Sequence, residues 1–339
     1  MILVGLAGCV DPIKLTVDGG GALVVDGLIT NLPGPYYVKL GRSINFDSDR
    51  PQRVFTNPEV GATIVITDDT GYSETLWECA PNCPAGTYQT QTIQGRFGGT
   101  YRISIRTNNG KRYESDPETM PPGVFVDRIE YKFDVYDRLV TNANGAPRAQ
   151  KKEGFYIYAV VNDPPGKGNF YRWGADGIYD YHAYNDDLAK ASCWFYTYKL
   201  ESQIQVASDL DADGEPLKHM VCIIPYDRPW KYLVKINQQT MTEAAYNYWE
   251  ISARQQSSTG SLFDPPPAII EGNVHNESDD SEQVLGFFGA SGITRKNLLI
   301  DLLRAADFKA PNPNVQPVAG DCRLLLPGAT NVKPVEWDE

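Results

Sequence analysis

The sequence TYRISIR at residues 100–106, followed by NNGK at residues 108–111, decides the fold. Hydrophobic and polar side chains alternate through the first segment, as in a β-strand that buries one face. Asn109 and Gly110 then suit the tight turn that joins two antiparallel strands. The two segments together predict a β-hairpin.

Short strand-like runs extend from this hairpin toward the N-terminus, for example at residues 23–25, 36–40 and 63–67. Their spacing of roughly 8 to 12 residues, without a long helical period, is typical of an immunoglobulin-like or transthyretin-like sandwich. Pro121 and the residues around it forbid helix and stiffen the chain. We therefore predict a first all-β domain over residues 22–120.

A second all-β sandwich is predicted over residues 123–339, because a chain of 339 residues is long enough for two cores. Its predicted strands lie between residues 127 and 238. One inserted helix near residues 241–258 begins at a capping box of Thr240 and Glu243 and has a stop signal at Gly260. The helical face expected to pack on the sheet, rather than to line a ligand groove, consists of Ala245, Tyr248, Trp249 and Ser252.

The charge balance argues against nucleic-acid binding. The chain has 31 Lys and Arg against 43 Asp and Glu, a formal net charge of −12. It has no basic run that could neutralise a phosphate backbone. No segment approaches the roughly 20 apolar residues of a membrane-spanning helix. His182, His219 and His275 lie far apart without a catalytic motif, so we expect no enzyme activity.

Residues 1–9, MILVGLAGC, end in the order Leu-Ala-Gly-Cys of a bacterial lipobox. Small side chains at Ala7 and Gly8 fit a signal peptidase cleft, and the Cys9 thiol would receive the lipid. An apolar first strand is the alternative, but it gives no reason for this order. Because no basic segment precedes the apolar run, we expect residues 1–9 to be a signal-peptide remnant with the natural start upstream. Residues 10–21 are the expected tether.

The other cysteines favour an oxidising compartment. Cys79 and Cys83 flank turn-forming Pro and Asn residues, so a local disulfide is expected. A zinc site is the alternative, but a second pair of ligands at the required spacing is missing. Cys193, Cys222 and Cys322 leave an odd thiol, and their pairing stays open. We favour a bond between Cys193 and Cys322.

The segment DLDADG at residues 209–214 has the most specific chemical pattern. Asp209, Asp211 and Asp213 would place three carboxylates inside one tight loop, which suits Ca²⁺. The twelfth loop position is Met220 and no helical pattern flanks the loop, so it is not an EF-hand. An acidic hairpin turn is the alternative.

A set of aromatic residues in the second domain could present rings to a sugar or a protein partner, or could form its core. The candidate binding residues are Tyr171, Trp173, Tyr179, Tyr181 and Trp194.

Ten segments together resemble the domain-of-unknown-function family 4249 (DUF4249), in an order that covers almost the whole chain. They are CVDP at 9–12, LVVDGLIT at 23–30, GATIVITD at 61–68, YESDP at 113–117, YRW at 171–173, CW at 193–194, GSLFDP at 260–265, GNVHN at 272–276, DCR at 321–323 and NVKP at 331–334. The resemblance implies an outer-membrane lipoprotein, often encoded beside TonB-dependent receptors, and it supplies no catalytic residues.

We therefore expect a non-enzymatic, surface-exposed lipoprotein that serves as accessory subunit of an outer-membrane β-barrel complex. The barrel could act in TonB-dependent transport, secretion or barrel assembly. A glycan-binding surface lipoprotein is the alternative. A hydrolase is a third hypothesis, which would need carboxylates converging in a pocket.

Overall fold

The protein is described by a computed structural model that covers residues 21–44, 56–141, 147–183, 186–187, 191–200, 203–210, 214–257, 270–311 and 319–338. Within these residues 52% lie in strands and 10% in helices, and the strands form three open sheets. The sheets contain ten, six and three strands. The prediction of a mostly β chain is confirmed.

The strands before the interdomain prolines are short. They are β1 (Leu23–Thr30), β2 (Tyr37–Ser43), β3 (Thr56–Pro58), β4 (Thr63–Asp68), β5 (Ser73–Thr75), β6 (Trp77–Glu78), β7 (Thr87–Gln89), β8 (Thr100–Arg106), β9 (Arg112–Ser115) and β10 (Glu118–Thr119).

Several of the later strands are longer. They are β11 (Val126–Thr141), β12 (Pro147–Val161), β13 (Phe170–His182), β14 (Ser192–Thr197), β15 (Gln205–Ser208), β16 (Leu217–Pro225), β17 (Lys231–Met241), β18 (Val274–Asn276) and β19 (Val284–Asp301). The helices are α1 (Glu243–Ser257), α2 (Leu302–Ala305) and α3 (Cys322–Leu325), and a 3-10 turn spans Val335–Asp338.

In the first unit, two layers of strands pack face to face. One layer contains β1, β2, β3, β6 and β7, and the other is the six-stranded sheet of β4, β5, β8, β9, β10 and β18. Leu23 and Val25 of the first layer share one core with Ile64 and Ile105 of the second. The predicted hairpin of β8 and β9 is confirmed, with its strands in antiparallel register. Alternate side chains of β8 are buried, as the sequence pattern required.

Strand β19 joins the first unit to the second. Its first half runs parallel to β1, from Val284 opposite Leu23 to Ser291 opposite Thr30. Its second half then pairs antiparallel with β17. A positive φ of 91° at Gly286 brings the backbone so close to β1 that a Cβ would lie 1.9 Å from the Val25 carbonyl oxygen, so glycine is required there.

The division of the chain differs from the predicted one. The linker before β11 falls at the predicted boundary, but residues 274–291, assigned to the second domain, complete the first unit instead. Val274 and Phe288 belong to the core of the first unit, and β18 pairs with β9. Residues distant in sequence supply these strands, and local patterns do not specify such pairing.

The second unit places β13, β14, β15, β17 and the end of β19 against the three-stranded sheet of β11, β12 and β16. The rings of Tyr171, Trp173 and Tyr232 pack in its core with Phe155 and Ile224 of the opposite sheet. The linker is fixed to this unit, because the Val124 carbonyl accepts hydrogen bonds from Gln238 Nε2 and Thr294 Oγ1, each 2.7 Å long. The interdomain linker is thus part of the packed structure.

Helix α1 packs on the sheet as predicted, but its capping residue is different. Ala245 is buried, and the rings of Tyr248 and Phe287 lie 5.2 Å apart. The N-cap is Thr242, whose Oγ1 accepts from the Ala245 amide at 3.1 Å. Thr240, the predicted cap, lies within β17, because pairing with β19 extends that strand. The predicted helix stop at Gly260 lies outside the described residues. None of the described helices is long and apolar enough to cross a membrane.

Candidate functional site

A C-terminal segment of residues 319–338, which we call the strap, is attached to one edge of the ten-stranded sheet. That edge is β14. A disulfide joins Cys322 of the strap to Cys193, with the Cα atoms 5.9 Å apart. Trp194 and Thr330 exchange backbone hydrogen bonds of 2.7 and 2.9 Å. Covalent and backbone bonds together hold the strap on this edge.

The strap wraps around β14 and contacts both faces of the sheet. Cys193 and Trp194 are neighbours in a strand, so their side chains point to opposite faces. On the Cys193 side, Cys322 packs in a small core with Tyr181 and Trp230. On the Trp194 side, the ring of Trp337 lies 6.4 Å from the ring of Trp194. The strap thus covers the backbone edge as well as parts of both faces.

Large apolar side chains are exposed on the strap and at the end of β14. Leu324, Val332 and Val335 of the strap are 82%, 70% and 81% exposed, and Tyr198, just after β14, is 72% exposed. Exposed apolar side chains of this size are candidate positions for contact with a partner. We call these four residues the strap surface.

Four of the five predicted binding aromatics are core residues. Tyr171, Trp173, Tyr179 and Tyr181 are all buried, so a flat exposed platform of these rings is not formed. Trp173 shows the reason, because its ring stacks on His219 and its Nε1 donates to Gln238 Oε1 at 2.8 Å. Trp194, the fifth, is half-buried under the strap. The alternation of residues along the strand predicts that these rings share one face of a sheet. It does not predict that a second sheet covers that face.

The cysteines are arranged as follows. Cys79 and Cys83 are bonded, with their Cα atoms 5.3 Å apart, and the second disulfide joins Cys193 to Cys322. Cys222 is buried in β16, outside both pairs. Cys9, the predicted lipidation residue, lies outside the described residues.

Asp209, the first residue of the predicted Ca²⁺ loop, is buried and anchors a neighbouring loop. Its Oδ1 accepts from the amides of Gly168 and Asn169 at 2.9 and 3.0 Å, and its Oδ2 from Asn169 Nδ2 at 2.8 Å. Burial raises its pKa, but these hydrogen bonds outweigh that effect and lower it. Asp211 and Asp213 lie outside the described residues. Within the described part of the chain, no group of three His, Cys, Asp or Glu residues could hold a metal ion.

Two buried titratable groups lie away from the strap. Glu118 of β10 is buried where the two units meet and accepts from Thr242 Oγ1 at 2.7 Å. Burial raises its pKa to about 7. His219 is half-buried against the ring of Trp173, and burial lowers its pKa to about 4. Both environments disfavour the charged form of the side chain.

A shallow groove of about 540 Å³ lies on the Trp194 face of the sheet, with the end of the strap at one side. Its lining residues are Asp176, Lys235, Asn237, Arg295, Lys296, Asn297 and Glu336. No sequence motif marked these positions. The only local signal is the succession of polar residues at 235 and 237 in β17 and at 295–297 in β19.

Comparisons with known proteins identify a family and show a weak likeness to solved structures. No curated protein matches the chain. A crystal structure of the chicken interferon gamma receptor alpha chain is similar at 12% identity, covering 64% of this chain and 87% of the receptor chain, with a TM-score of 0.16. That score is too low to support any inference about fold or function. The model of the family described as "Domain of unknown function (DUF4249)" matches residues 10–297. The chain therefore belongs to the DUF4249 family.

Proposed function

We propose that this chain is a non-enzymatic lipoprotein, attached to the outer membrane through Cys9, that binds an outer-membrane β-barrel protein as an accessory subunit. The barrel is a TonB-dependent transporter, or a component of secretion or barrel-assembly machinery. In this proposal each unit is an immunoglobulin-like or transthyretin-like sandwich that serves as a rigid carrier of binding surfaces.

The exposed strap surface is the observation that carries this proposal. A large apolar side chain gains about 1.5 to 3 kcal/mol when it is fully buried, so exposed Leu324, Val332 and Val335 together represent several kcal/mol that a partner could recover. The disulfide and the pairing with β14 hold these residues in place before binding. A fixed surface loses less conformational entropy on association than a flexible one.

The direction of β19 supports a membrane-distal position for that surface. The tether precedes β1, and Leu23 at the start of β1 lies opposite Val284 at the start of β19. The 18 residues of β19 then lead away from this end, a path of about 60 Å at the usual strand rise. Lipid at Cys9 would place the first unit near the membrane and the second unit farther out, beside the exposed parts of a barrel.

Because a lipid anchor would confine the chain to the membrane surface, weak contacts with a barrel would be enough to hold a complex together. Three acyl chains exceed the two signals that stable anchoring requires. Anchoring raises the effective concentration of the chain beside a barrel in the same membrane. The proposed function is therefore binding and not catalysis.

The anchoring step is tested by expressing the chain behind a complete lipoprotein leader, as wild type and as Cys9→Ser, in cells fed radiolabelled palmitate. The wild type should carry label and sediment with outer membranes. The Cys9→Ser variant should lose the label and leave the membrane fraction. Label on the Cys9→Ser variant, or an unlabelled wild type, would contradict anchoring through Cys9.

The partner step is tested by detergent extraction of the native lipoprotein and mass spectrometry of the proteins that co-purify. A β-barrel protein in roughly equal molar amount is the expected result. Recovery of the lipoprotein alone would exclude a stable complex.

A further inference from the structure

The outer edge of β11 is a surface that the proposed function does not use. Strand β11 is the first strand of its three-stranded sheet and pairs with β12 on one side. Among the described residues, no strand pairs with it on the other side, and β19 of the opposite sheet packs against it without pairing. The strand has 16 residues and contains no proline. Its open edge therefore offers a long row of amides and carbonyls to another extended chain.

The backbone groups of the odd-numbered residues of β11 face this open edge. Glu153 of β12 lies opposite Val135, and its carbonyl accepts a hydrogen bond of 2.9 Å from the Tyr226 amide on the far side of β12. Opposed residues in an antiparallel pair either face each other or both face away, so Val135 faces away from β12. Its amide donates to Asp134 Oδ1 at 2.8 Å. Because the pairing is regular over residues 128–141, the other odd-numbered residues have the same orientation.

The even-numbered residues carry a row of alternating charges. They are Arg128, Glu130, Lys132 and Asp134, in the order positive, negative, positive, negative. Arg128 Nε lies 2.8 Å from Glu130 Oε1, and Lys132 forms an ion pair with Asp134, so these side chains share one face of the strand. Lys218 of β16 also contacts Glu130, at 2.6 Å. The four side chains of the row are 34% to 65% exposed, so a second chain can reach them.

This order of charges is complementary to itself. When two copies of β11 pair antiparallel with Tyr131 at the centre, Arg128 lies opposite Asp134 of the second copy. Glu130 lies opposite Lys132 in the same register, and the twofold axis repeats both pairs, which gives four attractive pairs. The outward-facing odd residues then form the hydrogen-bonded pairs, and the charged residues occupy the positions where opposed side chains are closest. A centre at Glu130 or Lys132 would instead place like charges opposite each other.

The other face of the strand adds an apolar contact. The ring of Tyr131 lies 6.0 Å from the ring of Phe155 in the core of the second unit, yet Tyr131 is 44% exposed. In the register centred on Tyr131, this residue meets its own copy. Ile129 lies opposite Phe133, and both pack on the same core. Pairs of aromatic and β-branched residues are favourable across antiparallel strands, so a second copy would extend the core over the open edge.

We propose that this chain pairs with a second copy of itself through β11, in the antiparallel register centred on Tyr131. The two three-stranded sheets then join into one continuous sheet across a twofold axis. The self-complementary row of charges is the observation that identifies the partner as a second copy. The strap surface contains no residue of β11, so this pairing and the binding of a barrel protein succeed or fail independently.

Sedimentation velocity of the full chain, with Cys9→Ser to keep it free of lipid, measures the self-association. A dimer should form at concentrations up to about 0.1 mM. Arg128→Glu with Lys132→Glu makes all four charge pairs repulsive, so it should weaken the dimer by about tenfold or more. Glu130→Lys with Asp134→Lys should have the same effect. An equal mixture of the two variants should restore the dimer, because every charge pair between them is attractive.

The matched control is Arg138→Glu with Lys151→Glu, which makes the same change of net charge at two exposed residues of the β11–β12 hairpin. Both residues lie outside the paired segment of residues 128–134, so this variant should dimerise like the parent chain. Thermal melting verifies that each variant keeps its fold. A parent chain that stays monomeric up to about 0.5 mM, equal weakening in the edge and control variants, or no dimer in the mixture would overturn the proposal.

Cysteine cross-linking tests the register without altering the charges. Opposed Cα atoms of a hydrogen-bonded pair lie about 5.5 Å apart, which is within the range of a disulfide. Tyr131→Cys should therefore form a disulfide-linked dimer on oxidation. Val135→Cys is the control, because Val135 is 47% exposed but would lie roughly 27 Å from its own copy. Equal cross-linking of the two variants, or none in Tyr131→Cys, would contradict this register.

Discussion

The two ends of the ten-stranded sheet are closed in different ways. At one end the two-residue strand β6 is followed by Cys79, whose disulfide to Cys83 spans a separation of 4 residues. At the other end, Cys193 of β14 is bonded to Cys322 across a separation of 129 residues. The β6 edge is short and closed by its own loop, whereas the β14 edge is covered by a distant segment.

The difference shows two solutions to the problem of an exposed sheet edge. An open edge offers unpaired amides and carbonyls to any extended chain, and proteins shorten it or cover it. The β6 end is shortened, and its Trp77 is exposed. The β14 end is covered, and the covering strap carries the apolar surface proposed to bind a partner. The substitutions described next test how much each end of the sheet contributes to the stability of the protein.

The largest effect is expected from the disulfides. Loop-closure entropy predicts that Cys193→Ser with Cys322→Ser lowers the free energy of unfolding by about 5 kcal/mol, against about 2 kcal/mol for Cys79→Ser with Cys83→Ser. Urea denaturation of both variants measures the difference. Equal losses would show that the strap bond constrains the unfolded chain no more than the local bond does.

Replacing a tryptophan near each end of the sheet should have very different effects on stability. Trp173→Ala leaves a cavity beside His219 and removes a hydrogen bond to Gln238, so it should cost about 4 kcal/mol. Trp77 is 65% exposed, so Trp77→Ala should change stability by less than about 0.5 kcal/mol. Thermal unfolding checks both values, and a stable Trp173→Ala protein would contradict the burial of the predicted binding aromatics.

The junction between the units should make stability depend on pH. The folded-state pKa of Glu118, about 7, lies above its ordinary value of 4.5, so the stability present below pH 4.5 is lost as pH rises toward 7. The loss is at most about 3 kcal/mol. Glu118→Gln should match the wild type at pH 4.5 and exceed it at pH 7.5. Melting temperatures at both values test this, and identical profiles would contradict it.

Local sequence patterns predict the strands and helices that bury one face and expose the other. The alternation in β8 and the turn after it identified the first hairpin, and helix α1 was predicted from a capping box, a stop signal and an amphipathic face. Strand β19 was not predicted, because VLGFFGAS at residues 284–291 is buried on both sides and reads as an apolar run broken by glycine. Its parallel pairing with β1 depends on residues more than two hundred positions away.

The candidate surfaces were only partly predictable. The sequence indicated that aromatics gather in the second unit, but Trp173 is buried and Tyr198 exposed because of sheets and a strap that local patterns do not place. The groove could not be predicted from the sequence, because Asp176, Lys235 and Arg295 come together only when three strands pair in register. Cys193 and Cys322 were a favoured pair, without any indication that their bond fastens a strap.

Partner recovery with an altered strap surface tests the central claim most directly. Val332→Asp with Val335→Asp keeps the disulfide and places charges on the exposed surface. Phe125→Asp with Leu139→Asp is the matched control, since these residues are 74% and 75% exposed elsewhere on the second unit. In pull-downs from outer membranes, the strap variant should lose the co-purifying β-barrel protein while the control retains it. Equal recovery of the barrel by the two variants would contradict binding through the strap.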